Sequence, residues 1–207
     1  EGTNGGIRVT PDGRSLVLIH ERMHQPAEVI RVDVNGKNLT RLTGFNDERV
    51  RSLVLPAKED FWFEGSGGTK VHGLLLRPPG FQEGSRYPLV FLIHGGPQGQ
   101  WADQFHYRWS AQLFAARGYV VALINPRGST GYGQRYTDEI SGDWGGAVYE
   151  DLMKGLDHLI ATYRFIDGSR VAAAGASYGG YMVNWMLGST DRFRCFVSHD
   201  GVFNPWN

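Results

Sequence analysis

The sequence has little cysteine, no net charge and no long apolar run, and each shortage excludes a class of protein. Its single cysteine, Cys195, rules out an internal disulfide and a cysteine-rich metal site in these 207 residues. Lys and Arg total 21, as do Asp and Glu, so no net field favours a nucleic-acid partner. No apolar run approaches the ~20 residues of a membrane span. Cys195 lies in an apolar stretch and is predicted to be a buried thiol.

The first 47 residues differ in pattern from the rest. Short segments rich in Val, Ile and Leu predict strands, with turn signals at P-D-G and N-G, and they cover residues 15–20, 27–34 and 38–42. Three or four short antiparallel strands at this spacing suit one blade of a β-propeller. A lone blade cannot bury both faces and therefore needs neighbours. A small sheet packed on the next domain is the alternative. Residues 48–60 are polar and predict a linker.

From residue 61 to residue 207 the pattern indicates an α/β domain. Two continuous apolar segments, 87–94 and 119–124, predict strands covered on both faces. Helical spacing of apolar residues predicts helices over 105–117 and 146–163. The remaining predicted elements are a hairpin over 61–64 and 70–77, a strand from 171 and a last strand over 194–199. This alternation of strands and helices predicts a mostly parallel sheet.

Residues 171–181, V-A-A-A-G-A-S-Y-G-G-Y, are the most informative stretch. A small apolar strand stops at a sharp turn, and a helical pattern follows at once. This is the setting of the G-x-S-x-G nucleophile elbow, with Ser177 as the nucleophile. Gly175 and Gly179 stand where a side chain would clash across the tight turn. An ordinary glycine-rich turn between a strand and a helix is the alternative.

A serine nucleophile needs a histidine base and a carboxylate, and in this fold they follow the serine in the order acid, then histidine. Only His199 follows Ser177, and no histidine follows Asp200. We therefore expect the acid and the base to lie beyond residue 207, in a chain that is truncated at its C terminus and inactive alone. His199 acting as the base in an unusual order is the alternative.

Two further glycine-rich loops precede the elbow. In H-G-G-P, residues 94–97, a backbone N–H of Gly96, or of Gly95, is predicted to bind the developing oxyanion together with the N–H of Tyr178. A plain turn is the alternative. In N-P-R-G-S-T-G-Y-G, residues 125–133, Arg127 is predicted to pair with Glu150 or Asp151, in a structural role rather than a substrate contact.

In this order, the three motifs resemble the prolyl oligopeptidase family of serine peptidases, over residues 61–203. The resemblance implies an α/β-hydrolase fold, here incomplete and preceded by the last propeller blade. It makes Ser177 the nucleophile, with Gly96 and Tyr178 as oxyanion donors, and needs no metal or organic cofactor.

The same resemblance implies a peptide substrate and an exopeptidase of the dipeptidyl-peptidase or acylaminoacyl-peptidase kind. His94 stands where one branch of the family has an oxyanion tyrosine, which points away from that branch. A carboxylesterase or lipase, and a non-catalytic homologue of the same fold, are the alternatives. Oligomeric state and compartment stay open.

Overall fold

The computed structural model describes residues 2–204. These residues form two compact units. The first comprises the chain up to Lys58 together with Ala102–Gln112, and the second comprises Glu59–Trp101 and the chain from Leu113 onward. The predicted first and last domains also include residue 1 and residues 205–207, which lie outside the described residues. No helix within residues 2–204 has both the length and the apolar character needed to cross a bilayer.

The first unit is built on a four-stranded antiparallel sheet in sequence order. Its strands are β1 (Thr3–Val9), β2 (Ser15–Arg22), β3 (Gln25–Asp33) and β4 (Thr40–Arg41), followed by the short helix α1 (Asp47–Arg51). The predicted strands correspond to β2, β3 and β4. β1 is not among the predicted strands, because its sequence T-N-G-G-I-R-V contains two glycines and only two large apolar residues. A four-stranded antiparallel meander is the form of a propeller blade.

Residues 102–112 leave the second unit and join the first. Asp103 accepts a hydrogen bond from Met23 N at 2.8 Å, and Gln112 donates one to Pro56 O at 2.8 Å. The helix predicted over 105–117 is wrong in extent, because α2 covers only Ala111–Ala115. The physical reason is the His106 ring, whose Nδ1 accepts from the backbone N–H groups of residues 108 and 109 and fixes a turn there.

The second unit is built on a six-stranded sheet in the order β10-β9-β7-β8-β6-β5. The hairpin of β5 (Glu59–Glu64) and β6 (Lys70–Leu76) is antiparallel, and β6 also pairs antiparallel with β8. The other strands are mutually parallel: β7 (Tyr87–Ile93), β8 (Val120–Asn125), β9 (Ile166–Ala176) and β10 (Cys195–His199). The prediction of an α/β domain with a mostly parallel sheet is confirmed.

Three helices complete the second unit: α3 (Gln134–Asp138), α4 (Ala147–Thr162) and α5 (Tyr178–Ser189). The long helix α4 packs against β5 and β9, and α5 packs against β7, β9 and β10. Apolar side chains of these helices and of the central strands form one core, which includes Phe91, Ile124, Leu152, Leu156, Ala173 and Met182. This core fixes the carboxyl ends of β7, β8 and β9, where the three glycine-rich loops begin.

Cys195 is exposed, so the prediction of a buried thiol is wrong. It begins β10, which is an edge strand among residues 2–204 and pairs there with β9. Four of the five β10 residues are exposed, although C-F-V is an apolar sequence. Burial of such a strand depends on what covers the sheet edge, which the local sequence does not encode.

Candidate active site

Ser177 occupies the turn between β9 and α5 in a strained backbone conformation. Its φ of 57° and ψ of −119° lie where residues other than glycine rarely occur. Such a conformation costs of order 1–3 kcal/mol and persists only when its surroundings enforce it. Here the Ser177 N–H donates to His199 O at 3.0 Å, and the Ser177 carbonyl accepts from Tyr181 N at 3.0 Å. The side chain of Ser177 is exposed at the top of the sheet.

The glycines beside Ser177 are required by the close approach of backbones. A Cβ at Gly175 would run into the carbonyl oxygen of Gly179, and a Cβ at Gly179 would run into the carbonyl oxygen of Ile93. The first clash lies within the elbow, while the second lies between the elbow and the end of β7. The prediction that side chains at these positions would clash is therefore confirmed.

The loop after β7 lies directly against the elbow. A Cβ built at Gly95 would stand 3.4 Å from Ser177 Cβ and 3.0 Å from Ala176 O. The next residue, Gly96, has a φ of 136°, which favours glycine. On the other side of Ser177, Tyr178 begins α5, and a backbone N–H in the first turn of a helix has no intrahelical acceptor. The N–H groups of Gly96 and Tyr178 are the two candidate donors to an oxyanion.

The Tyr178 side chain anchors the second candidate donor. Its hydroxyl donates to Trp144 O at 2.7 Å, and its ring meets the Trp144 ring edge-on at 5.4 Å. The ring is only 2% exposed, and this burial raises the pKa of the Tyr178 hydroxyl well above its usual value. Tyr178 therefore stays neutral, and its packing holds the start of α5 in place.

His94 is buried beneath the same loop. Its Nδ1 lies 2.8 Å from Gly95 O, and its Nε2 lies 2.9 Å from the hydroxyl of Ser129. Burial lowers the pKa of the His94 imidazole below its usual value, although the contact with Gly95 O opposes this shift. The ring is therefore a neutral part of the loop's support.

Arg127 and Asp151 form the centre of a buried ion-pair cluster. Asp151 is fully buried and accepts from Arg127 Nε at 2.9 Å, from Arg127 N at 3.1 Å and from Ser66 N at 2.7 Å. The guanidinium also lies 3.4 Å from Glu139. The pKa of Arg127 is raised above its usual value, chiefly by its hydrogen bonds to Asp151. The predicted pairing of Arg127 with a carboxylate of α4 is confirmed, with Asp151 as the partner.

The opposite side of the 125–133 loop supports the loop after β7. Asn125 is fully buried, and its carboxamide accepts from Trp101 N at 2.7 Å and donates to Trp101 O at 2.9 Å. Thr130 N donates to Gly99 O at 2.9 Å. Neither Asn125 nor Ser129 is among the site residues predicted from the sequence. Their signal was available, since Asn125 ends the apolar strand β8 and Ser129 lies in the loop that follows, at the carboxyl end of the strand, where ligands bind in such sheets.

His199 contributes its backbone to the elbow, through the carbonyl that accepts from Ser177 N. Its ring is 49% exposed, and its Nδ1 lies 3.7 Å from Asp200 Oδ2. A second histidine, His72 of β6, lies near the edge of the sheet opposite to β10. Its ring contacts Asp60 at 2.9 Å and the Tyr132 hydroxyl at 2.6 Å. The carbonyl of His199 is thus part of what holds Ser177 in its strained conformation.

Comparison with known proteins supports one family. The sequence model of the prolyl oligopeptidase family matches residues 105–207. Dipeptidyl-peptidase 5 of Schizosaccharomyces pombe is 39% identical over 199 residues, which are 95% of this chain and 29% of that protein. Probable dipeptidyl-peptidase 5 of Arthroderma benhamiae is 49% identical over 160 residues, or 76% of this chain and 22% of that protein.

Among solved structures, acylaminoacyl peptidase of Pyrococcus horikoshii aligns with a TM-score of 0.87 and 27% identity, over 98% of this chain and 32% of that one. The chain thus spans less than a third of the length of these relatives. The likeness covers both units, which confirms the predicted class: part of an α/β-hydrolase fold preceded by a propeller blade. On these matches, and on the elbow at Ser177 with the loop after β7 packed against it, the chain belongs to the prolyl oligopeptidase family.

Proposed function

We propose that the protein is a serine peptidase that hydrolyses peptide bonds of oligopeptides through an acyl-enzyme on Ser177. The observation that carries the proposal is the exposed Ser177, at a φ of 57°, with Gly95 packed against it. An exposed serine in a strained turn, next to a second glycine-rich loop, suits attack on an acyl carbon. The names of the relatives support an exopeptidase of the dipeptidyl-peptidase or acylaminoacyl-peptidase kind.

In the proposed reaction, the Ser177 hydroxyl gives its proton to a base as Oγ attacks the carbonyl carbon of the substrate. The oxygen of that carbonyl becomes an anion, and the N–H groups of Gly96 and Tyr178 donate to it. The amine leaves with the proton, and water then hydrolyses the acyl-enzyme. Chain order in this fold places the acid and the histidine base after the nucleophile. Within this mechanism, the described residues supply the nucleophile and the oxyanion site.

The proposal extends to domain organisation. Residues 1–47 are one blade of a propeller, residues 48–60 are the linker, and residues 61–207 belong to the peptidase domain. The four-stranded meander supports the first assignment, and the six-stranded sheet supports the last. A propeller favours peptide substrates, since an esterase of the same fold does not need one.

The decisive experiment labels the full-length protein with a fluorophosphonate and maps the modified residue by mass spectrometry. We expect label on Ser177, and we expect hydrolysis of dipeptidyl or acetylaminoacyl amides to exceed that of simple esters. Ser177→Ala should lower kcat by about 10⁶-fold, as for other serine nucleophiles. Ser141→Ala, an exposed serine of the same unit, is the matched control and should keep full activity. Label on another residue, or none, would contradict the proposal.

A further inference from the structure

We propose that His72 is a pH-sensitive switch that controls how firmly Asn125 holds Trp101. While His72 is neutral, a chain of hydrogen bonds through Tyr132 keeps the Asn125 carboxamide in place, and protonation of His72 disrupts that chain. The chain ends at Asp60. All five residues belong to the second unit, and Trp101 is its last residue before the backbone passes into the first unit. This role goes beyond the proposed function and does not depend on it.

The register of three strands brings these side chains together. His72 of β6 is paired with Trp62 of β5 on one side and with Asn125 of β8 on the other. Paired residues point to the same face of a sheet, so the three side chains form a row across it. Asp60 lies two residues before Trp62 and therefore points to the same face. The hydroxyl of Tyr132, from the loop after β8, contacts both His72 and Asn125.

The direction of each hydrogen bond follows from the Trp101 backbone. Asn125 Oδ1 accepts from Trp101 N at 2.7 Å, and Asn125 Nδ2 donates to Trp101 O at 2.9 Å. The second hydrogen of Nδ2 goes to the Tyr132 oxygen at 2.9 Å. Tyr132 then gives its own hydrogen to His72 Nδ1, at 2.6 Å. The ring hydrogen of His72 is therefore on Nε2, which donates to Asp60 at 2.9 Å.

Protonation of His72 leaves this pattern unsatisfied. Nδ1 then points an N–H at the Tyr132 oxygen, which already accepts an N–H from Asn125. The Tyr132 hydrogen loses its acceptor, because both of these neighbours are now donors. A poorly solvated donor without an acceptor shifts an equilibrium by about 5- to 100-fold. Opening of the contact between Tyr132 and Asn125 relieves the conflict and removes one restraint on the carboxamide that holds Trp101.

The groups around the imidazole fit a switch that responds near neutral pH. The negative charge of Asp60 on β5 stabilises a protonated ring, whereas Lys70 of β6 lies 5.0 Å from the Trp62 ring, which is stacked 4.6 Å from the imidazole. Burial, above all, raises the pKa of Tyr132, and it also raises that of the neighbouring Tyr136, so both phenols keep their hydrogens. Among such groups, an imidazole changes charge between about pH 5 and pH 8.

Hydrogen exchange of the full-length protein at about pH 5 and about pH 8 tests the switch. Corrected for the intrinsic exchange rate, the protection of the Trp101 amide in wild type should be about 5- to 100-fold lower at the acidic pH. His72→Asn offers Tyr132 an amide oxygen that does not titrate, so protection should stay high at both pH values. His72→Lys offers a permanent donor, so protection should be low at both.

Two controls separate a local switch from general unfolding in acid. The amide of Leu123, a buried residue in the middle of β8, should keep its protection at both pH values in every variant. His20→Asn removes a histidine of the first unit, paired there with Asn4, and should leave the pH dependence at Trp101 as in wild type.

Three results would overturn the switch. An equal loss of protection at Leu123 and Trp101 would show that acid opens the whole unit. Unchanged protection of Trp101 in wild type would show that its clamp does not respond to pH, and a fall in His72→Asn as large as in wild type would assign the response to another group. Because the readout is exchange and not hydrolysis, each of these results leaves the role of Ser177 to be decided by labelling.

Discussion

The two sheets of the protein differ in how much of their apolar surface they bury. All six residues of β8 in the second unit are buried, and the strand has a neighbour on each side. In the first unit, β1 pairs with a single strand within the described part of the chain, and its Ile7 and Val9 are 52% and 62% exposed. The second sheet carries its own core, whereas the first resembles a blade that needs further cover.

The strained turn at Ser177 belongs to the second sheet, where several elements hold it. The turn is held by Ile93 at the end of β7, by His199 at the end of β10 and by the first turn of α5. Each of these elements is fixed by the same core. Backbone strain of a few kcal/mol is stable only in such surroundings.

The largest change in the free energy of unfolding is expected for a substitution at Asp151, which is fully buried in the second unit. Asp151→Ala leaves the Arg127 guanidinium, itself only 11% exposed, without its main partner. Breaking a buried ion pair from one side costs about 3–5 kcal/mol. We expect the free energy of unfolding of this unit to fall by that amount. Hydrogen exchange of α4 peptides in the full-length protein measures it without assuming that both units unfold together.

The control for Asp151 is Arg135, a 93% exposed residue of α3 paired with Glu139 at 2.9 Å. Arg135→Ala should change the same free energy by less than about 0.5 kcal/mol, because solvent screens a surface pair. A loss below about 1 kcal/mol for Asp151→Ala would mean that water replaces the carboxylate, so that solvent reaches Arg127 more readily than its low exposure indicates.

A pair of valines compares the two sheets directly. Val120 of β8 is fully buried and Val9 of β1 is largely exposed. Val120→Ala should cost about 2 kcal/mol, from the lost transfer energy of two methyl groups and the cavity left behind, whereas Val9→Ala should cost less than about 0.5 kcal/mol. Thermal unfolding of both variants, monitored in each unit by hydrogen exchange, gives the two numbers. Equal costs would show that β1 is covered as well as β8 in the full-length protein.

The difference in burial between the two sheets also determines which of their strands could be predicted from the sequence. The continuous apolar segments of β7 and β8 predict buried strands because a sheet covered on both faces needs apolar side chains on both. The blade strands are short, and β1 carries Gly5 and Gly6, so its pattern is weak although its pairing with β2 is clear. The helix predicted over 105–117 is wrong in extent because the spacing of apolar residues does not show that the His106 ring accepts hydrogen bonds from the backbone N–H groups of residues 108 and 109.

At the candidate site, the sequence predicts the positions of the motifs but not their mutual support. Ser177 follows from the glycine spacing, and the approach of the loop after β7 follows from strand order in this fold. The contact between His94 and Ser129 joins residues 35 positions apart and depends on the register of two loops. Nothing local in H-G-G-P or in the 125–133 loop specifies that contact. Such long-range polar contacts need the folded chain.

The smallest expected effect concerns Glu28, the buried carboxylate of the first unit. Glu28 is 2% exposed and accepts from Thr43 Oγ1, from Asn46 N at 3.3 Å and from Arg41 at 3.1 Å. Burial alone would raise its pKa, but these hydrogen bonds outweigh burial and hold the pKa below the usual 4.5. Since the folded pKa is lower than the unfolded one, the Glu28 charge stabilises the first unit above pH 4.5, and this contribution is lost as the pH falls through the folded pKa.

Glu28→Gln removes that charge at every pH, so the difference in stability between wild type and variant should be largest near about pH 6 and shrink towards about pH 3. Melting temperatures of the first unit, taken across this range, measure the difference, and Glu48→Gln in α1 gives an exposed control with no such change. A constant difference would mean that Glu28 acts through hydrogen bonds that its neutral form also makes. A shrinking difference would instead show that the ionised Glu28 carboxylate, with Arg41 and Thr43 beside it, stabilises the first unit.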